Sequence, residues 1–322
     1  MTGGNGWVPS HIVRRLARRG ETVISYDLME VDDLLIDLLG PDIENVIFVD
    51  GDVTDADSML AAARAHDVTK IVHAAAITPR RHWEMAEPKR IVEVNLLGTI
   101  HALDTARMLD DFERFVYVSS CAATGDHPEL AVIDETTEST AAGLYGITKH
   151  TSERICRRYA ELYELDIVAM RPANVYGPME RDTPGYQGGT EPREMLRIYM
   201  DGQPVLINSL DGPYLDWTFV EDIAEGMERA WATPNLPEDV YSVTCGKLYS
   251  IGELLEQLQQ HLPNFEYRVV PKDEANYIVS GEAPGPVPSN ARMQRDFGWV
   301  PATPFEDGMK QYLAWIQENG PQ

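Results

Sequence analysis

Between residues 8 and 171, short β-rich runs alternate with stretches of helical periodicity, and this alternation leaves few folds open to the chain. Val8, Ile12, Val13 and Leu16 fall on one helical face, and Gly20 can end that helix. Strand patterns follow at residues 22–26, 46–49, 70–73, 114–118 and 166–171, with helical patterns at 56–65, 87–109 and 144–163. Pro88 stands near the start of the 87–109 helix, where a missing N–H is tolerated. A loop leads to Gly143. Strand–helix–strand repetition predicts an α/β fold with a parallel, doubly wound sheet, because each crossover helix returns the chain in the same direction.

After Pro172 the pattern loosens, and residues 178–192 and 280–289, rich in Gly, Pro and charge, read as loops of a smaller lobe. One core stops growing near ~250–300 residues, and the chain has 322. The expected division is a large domain over residues 1–174, with parts of 217–245 returning to it. A smaller α/β lobe takes 175–216 and 246–322. There is no internal repeat.

The charge narrows the partners. Lys and Arg number 27 against 52 Asp and Glu, a net −25, which repels nucleic acid and anionic membranes. A solvated acidic surface accounts for this; adaptation to high salt is the other reading. Met1-Thr2-Gly3-Gly4 carries no signal-peptide pattern, and no apolar run reaches the ~18 residues of a membrane span. Cys121, Cys156 and Cys245 are scattered and have no metal-ligand spacing, so a reducing cytoplasm and no metal are expected.

Thr2-Gly3-Gly4-Asn5-Gly6-Trp7-Val8 stands immediately before the first helix. Glycines there let the backbone turn sharply and approach a pyrophosphate, whose charge a helix N-terminus favours. Asp27 ends the next strand, where a carboxylate can accept both hydroxyls of a ribose and would repel a 2′-phosphate. NAD is therefore expected over NADP, in a sheet of Rossmann type. Two features depart from the usual pattern. Pro9 occupies the third glycine position of G-x-x-G-x-x-G, and no strand pattern precedes Thr2. An upstream start, with roughly five to eight further residues, is the expectation.

Tyr145 and Lys149 are four apart, so on a helix they share a face. An ammonium near a phenol lowers its pKa of ~10 toward working pH, giving a general acid/base for an alcohol/ketone pair. Lys149 could also hold the nicotinamide ribose. Residues 116–118 run into Ser119-Ser120, placing the Ser120 hydroxyl at a strand end where it can bond the same substrate oxygen.

With these motifs the chain resembles the extended short-chain dehydrogenase/reductase family, in its NAD-dependent epimerase/dehydratase branch. The likeness also rests on Gly51-Asp52-Val53, His73-Ala74-Ala75-Ala76, Val94-Asn95-Leu96-Leu97-Gly98-Thr99 and Arg171-Pro172-Ala173-Asn174-Val175-Tyr176-Gly177-Pro178. The resemblance implies that Ser120, Tyr145 and Lys149 are catalytic, with Tyr145 as proton acceptor. It implies that Gly3, Gly6, Trp7, Val8 and Asp27 meet the cofactor, that Asp52 and Val53 line the adenine pocket, and that Ala74, Ala75 and Ala76 pass along it. Asn95 would support the active-site helix beside the cofactor. Pro172 and Asn174 would face the cofactor, and Asn174 also the substrate. The indoles of Trp7 and Trp217 read as packing groups.

The same resemblance assigns substrate binding, commonly of a nucleotide sugar, to the smaller lobe. Where relatives carry Arg-Asp-Phe-x-Tyr-Val-x-Asp, with an arginine for the nucleotide phosphates, this chain has Leu215-Asp216-Trp217-Thr218-Phe219-Val220-Glu221-Asp222. Thr78, Arg80 and Arg81, with Arg181 and Arg193, could instead attract an anionic sugar-type substrate, or the arginines could pair with surface carboxylates; His82 is a weaker candidate. Three readings stay open: a sugar or nucleotide-sugar epimerase or dehydratase, a net dehydrogenase of a sugar, sugar acid or polyol, and, as the minor one, a non-catalytic NAD-binding scaffold. Relatives pair through two long helices, here 87–109 and the Tyr145 helix, so a homodimer is implied.

Overall fold

The computed structural model describes residues 1–279 and 284–320. Its first half runs α1 (Trp7–Arg18), β1 (Val23–Asp27), α2 (Asp33–Leu39), β2 (Val46–Asp50), α3 (Ala56–Ala65), β3 (Lys70–His73), α4 (Arg81–Ala86), α5 (Pro88–Val92), α6 (Gly98–Arg107), β4 (Arg114–Val118), β5 (Val132–Ile133), α7 (Leu144–Tyr163) and β6 (Ile167–Pro172). The second half runs β7 (Asn174–Tyr176), α8 (Glu191–Met200), β8 (Val205–Ile207), β9 (Tyr214–Leu215), β10 (Trp217–Phe219), α9 (Val220–Ala232), β11 (Val240–Val243), β12 (Tyr249–Ser250), α10 (Ile251–His261), β13 (Tyr267–Val269), β14 (Val287–Pro288), α11 (Ala291–Phe297) and α12 (Phe305–Asn319).

The parallel sheet expected from the alternation is present. β3, β4, β6 and β11 are hydrogen-bonded in that order, and β1 pairs with β2. Thr2 bridges β1 and β3, parallel to both Tyr26 and His73. Its N–H donates to the Val72 carbonyl at 3.0 Å, while the Gly3 N–H donates to the Tyr26 carbonyl at 2.9 Å. The loop that follows is thereby anchored at the middle of the sheet.

β4 shows why the sheet needs helices on both faces. All five of its residues are buried; Val116 and Val118 join the core under α1 and α9, while Phe115 and Tyr117 join the core under α6 and α7. A strand apolar on both sides buries itself only between two helical layers. The expected single helix over 87–109 is interrupted: α5 and α6 are joined by a π-helical turn at residues 93–97.

A separate apolar cluster holds the smaller lobe together, built from Tyr176, Met195, Trp217, Leu254, Phe305 and Tyr312 among others. The Trp217 and Phe305 rings stack at 5.5 Å. Trp217 is thus a packing group, and the chain returns to the large sheet from α9 onward, through β11. Residues 280–283 of the expected 280–289 loop lie outside the described residues; β14, within the remainder, pairs with β5. Among the described residues no helix is long and apolar enough to cross a membrane.

Candidate active site

A cleft of about 420 Å³ opens at the C-terminal ends of the central strands, the position where open α/β sheets bind ligands. Its floor is the glycine loop. Gly3 has φ +66°, and a Cβ there would sit 2.8 Å from the Ala75 Cα, so only glycine fits between the two strand ends. Gly6 caps α1 without a side chain, and the first turn holds no acidic residue. The first-turn N–H groups have no intrahelical acceptor. That combination fits a pyrophosphate, and Gly3, Gly6, Trp7 and Val8 all line the cleft. Pro9 falls within the first turn, where a missing N–H is harmless.

Asp27 stands at the end of β1 and also lines the cleft. Its Oδ2 accepts the Asn5 N–H and its Oδ1 the Met29 N–H, each at 2.9 Å. Burial raises its pKa, while these N–H groups draw it down. A carboxylate keeps lone pairs beyond those two bonds, so it can still accept from a ribose. Asp52 and Val53 follow β2 at the same end. Asp52 accepts from the Thr54 N–H at 2.8 Å and pairs with Arg90 at 2.7 Å.

At the other end the structure brings Ser120, Tyr145 and Lys149 together with Thr78, Ala74, Ala75, Ala76 and Pro172. Ser120 caps a short 3₁₀ turn after β4, its Oγ accepting the Ala122 N–H at 3.1 Å. Tyr145 and Lys149 lie one turn apart on α7. Burial pushes the Tyr145 phenol up, against hydrogen bonds with Ser120 and Thr78 that pull it down. Burial also pushes Lys149 down to about 8. Its Nζ donates to the Val118 carbonyl at 2.6 Å and stands 5.6 Å from the Tyr145 ring centroid. The expectation that Lys149 lowers the phenol pKa is therefore corrected for this arrangement: the ammonium is turned onto the backbone, and burial dominates.

Other expected contacts lie elsewhere. Asn95 is buried and does not line the cleft. Its Oδ1 accepts the Ile77 N–H at 2.7 Å, and its Nδ2 donates to the Ile77 carbonyl at 2.9 Å and to Thr148 at 3.3 Å. It braces the cleft wall against α7 from within the π turn. Asn174 is exposed on β7 and outside the lining.

The arginine cluster does not converge on the cleft either. Arg80 donates to the Gly189 carbonyl at 2.7 Å and pairs with Glu194. Arg81 and His82 are exposed on α4. Arg181 is buried, bonded to the Asn5 carbonyl at 3.0 Å and paired with Asp32. Arg193 is fully buried and paired with Asp182. The carboxylate-pairing reading holds for Arg80, Arg181 and Arg193, because each joins one segment to another.

Some lining residues escaped the sequence reading. Trp83, Glu87, Arg90 and Val94 form one wall. Their spacing of four, three and four has a helical period legible in the sequence, although the residues come from α4, the break at Glu87, α5 and the π turn. Thr183, Pro184, Gly185 and Tyr186 cross from the smaller lobe, and no local pattern announces them.

A glycine loop at the centre of a parallel sheet, an acidic residue ending β1, and Tyr145 and Lys149 on one helix face define a dinucleotide-binding protein of the extended short-chain dehydrogenase/reductase class. The family model described as "NAD dependent epimerase/dehydratase family" matches residues 1–246, and the chain belongs to that family, with NAD as its cofactor. Its similar proteins include the UDP-glucose 4-epimerase of Thermus thermophilus, solved in complex with NAD, at 26% identity and a TM-score of 0.80 over 99% of this chain and 98% of that one. UDP-glucuronate 4-epimerase 1 of Arabidopsis thaliana is 23% identical over 98% of this chain and 75% of its own. The dTDP-glucose 4,6-dehydratase 1 of Escherichia coli strain K12 is 24% identical over 99% and 92%.

Proposed function

We propose that the protein oxidises and re-reduces a secondary alcohol of a sugar or nucleotide sugar, releasing an epimer or a dehydrated product. The observation that carries this reading is the grouping of Tyr145 with Ser120 and Thr78 on one wall of the cleft, with Lys149 a helical turn away. NAD, when bound, accepts and returns the hydride. Tyr145, in its phenolate form, takes the hydroxyl proton at its Oη and, as the phenol, gives it back. Ser120 orients the substrate oxygen, and Lys149 would supply a positive charge to the cofactor's ribose. Relatives named for UDP-glucose, UDP-glucuronate and dTDP-glucose support a nucleotide-sugar substrate.

One observation favours a second reading. Leu215, apolar and half-buried on β9, stands where the family pattern has its phosphate-binding arginine. That suits a free sugar, sugar acid or polyol and a net dehydrogenase. The deciding experiment denatures freshly purified protein and quantifies released NAD, then offers UDP-glucose, UDP-glucuronate and dTDP-glucose. Near-stoichiometric NAD with conversion of one of these, and no accumulating NADH, supports the first reading. Protein that exchanges NAD freely and accumulates NADH on free sugars supports the second. No turnover of any sugar-type substrate overturns both.

The apolar residues Leu97, Met108, Ile147, Leu162 and Tyr163 are exposed along or beside α6 and α7, which supports a homodimer through these helices; light scattering that returns a monomer mass overturns it. A cytoplasmic location is proposed on the three free, scattered cysteines.

A further inference from the structure

The segment from Pro178 to Thr190 belongs to the smaller lobe yet lies across the cofactor cleft. Several contacts fix it to the large domain. Trp7 Nε1 donates to the Pro178 carbonyl at 2.8 Å, and its ring meets Tyr186 at 5.8 Å. The Thr78 N–H donates to the Gly185 carbonyl at 2.7 Å. Arg181 holds the Asn5 carbonyl of the phosphate loop at 3.0 Å. The approach is close: a Cβ at Gly185 would lie 2.5 Å from the Ala76 carbonyl oxygen. The segment thus touches the phosphate loop at one end and the wall beside Thr78 at the other, roofing the volume between them.

What shapes this strap is one carboxylate. Glu180 is fully buried. Its Oε1 accepts the Thr190 N–H at 2.6 Å and the Tyr186 hydroxyl at 3.0 Å. Its Oε2 accepts the Thr190 hydroxyl at 2.8 Å and the Tyr312 hydroxyl of α12 at 2.9 Å. Among the described residues it makes no ion pair. A buried carboxylate without a cation is costly unless its oxygens are filled with donors, and here four donors fill them. Three of these come from the strap itself and one from the C-terminal helix. An amide in its place would turn an NH₂ toward two of those donors, because it accepts through one atom only.

We propose that Glu180 is a positioning residue for cofactor retention: by gathering Tyr186, Thr190 and Tyr312 it holds the strap over the cleft, and so sets how slowly NAD leaves. This goes beyond the proposed reaction and does not depend on which substrate is used. Tyr312 does not line the cleft, so any effect of its hydroxyl on the dinucleotide must pass through Glu180.

The test follows NADH release without substrate. Protein loaded with NADH is chased with excess NAD while energy transfer from the cleft-lining Trp7 and Trp83 is recorded. Glu180→Gln and Tyr312→Phe are expected to release NADH about tenfold faster or more, the change that accompanies a lost hydrogen bond to a charged group. Leu258→Val, a packing change at a buried residue of α10 in the smaller lobe's apolar cluster, is expected to stay within about twofold of the parent. Release within about twofold of the parent in Tyr312→Phe and in Glu180→Gln, or in Tyr312→Phe alone should Glu180→Gln not fold, overturns the proposal. So does equal acceleration by Leu258→Val, which would make the effect one of general stability.

Discussion

The ammonium of Lys149 donates to the Val118 carbonyl at 2.6 Å while standing 5.6 Å from the Tyr145 ring centroid. Buried and, among the described residues, without an ion pair, it has a pKa of about 8 instead of 10.5. Between these values the unfolded chain holds a proton that the folded chain has lost, so stability rises with pH across this window. The cost of burying the charge is present below about 8 and is relieved toward 10.5. Urea unfolding of the parent and of Lys149→Met should therefore diverge with pH. From pH 7 to 10.5 the parent should gain up to ~3 kcal/mol on the variant. A constant difference would mean that Lys149 titrates normally.

Tyr145→Phe removes the proton acceptor and leaves the ring in place. Turnover is expected to fall ~10²–10⁴-fold, the usual worth of a positioned acid/base. NAD affinity should change little, because the phosphate loop and Asp27 are untouched. Rate and NAD titration measured on one preparation separate the two effects. Parental turnover would remove Tyr145 from the proposed chemistry.

Why some of this was legible in the sequence and some was not follows from the range of the interactions. The strands, the helices and the cleft-end positions of Gly3, Asp27, Ser120 and Tyr145 are set by local periodicity and by which residue ends a strand. The spacing of Trp83, Glu87, Arg90 and Val94 had the same local signal. The arginines were assigned on charge alone, and charge does not tell whether a guanidinium faces a cleft or a buried carboxylate. Arg193 and Asp182 are 11 residues apart, within reach of a sequence argument. Glu180 and Tyr312 are 132 apart, and nothing near either one marks the strap they hold. The π turn at Asn95 is likewise set by contacts to Ile77 and Thr148 on other elements.

Asp27→Asn tests the basis of cofactor choice. A 2′-phosphate held beside the Asp27 carboxylate would meet a like charge, and like charges at ~4 Å repel by a few kcal/mol at a partly exposed site. The parent should bind NAD more tightly than NADP. In the variant that preference should shrink by about tenfold or more. NAD itself should bind more weakly, because an amide would turn an NH₂ toward one of the Asn5 and Met29 N–H groups, which go to different oxygens of Asp27. Fluorescence titrations with both dinucleotides give the ratio, and a parent that prefers NADP would overturn the argument.

Ser119 Oγ donates to Glu153 Oε1 at 2.5 Å, and Arg171 holds both oxygens of Glu153 at 2.8 and 2.7 Å. Both charged side chains are nearly inaccessible, at 5% and 4%. The pair joins α7 to β6 beneath Ser119, itself part of the cleft lining. Removing one partner leaves the other charge buried alone, which costs ~3–5 kcal/mol. Glu153→Gln should therefore lower the unfolding free energy by that amount, read as a lower urea midpoint at unchanged m-value. The double variant Glu153→Leu with Arg171→Met should recover most of it, since two apolar groups of similar size leave no uncompensated charge. Turnover gives the second readout. If the pair serves only stability, the double variant regains parental rates along with its midpoint. If Glu153 also fixes the Ser119–Ser120 turn, the midpoint recovers and the rate stays depressed. The second outcome is expected, because the double variant leaves Ser119 Oγ without its acceptor, one residue before the hydroxyl assigned to the substrate oxygen.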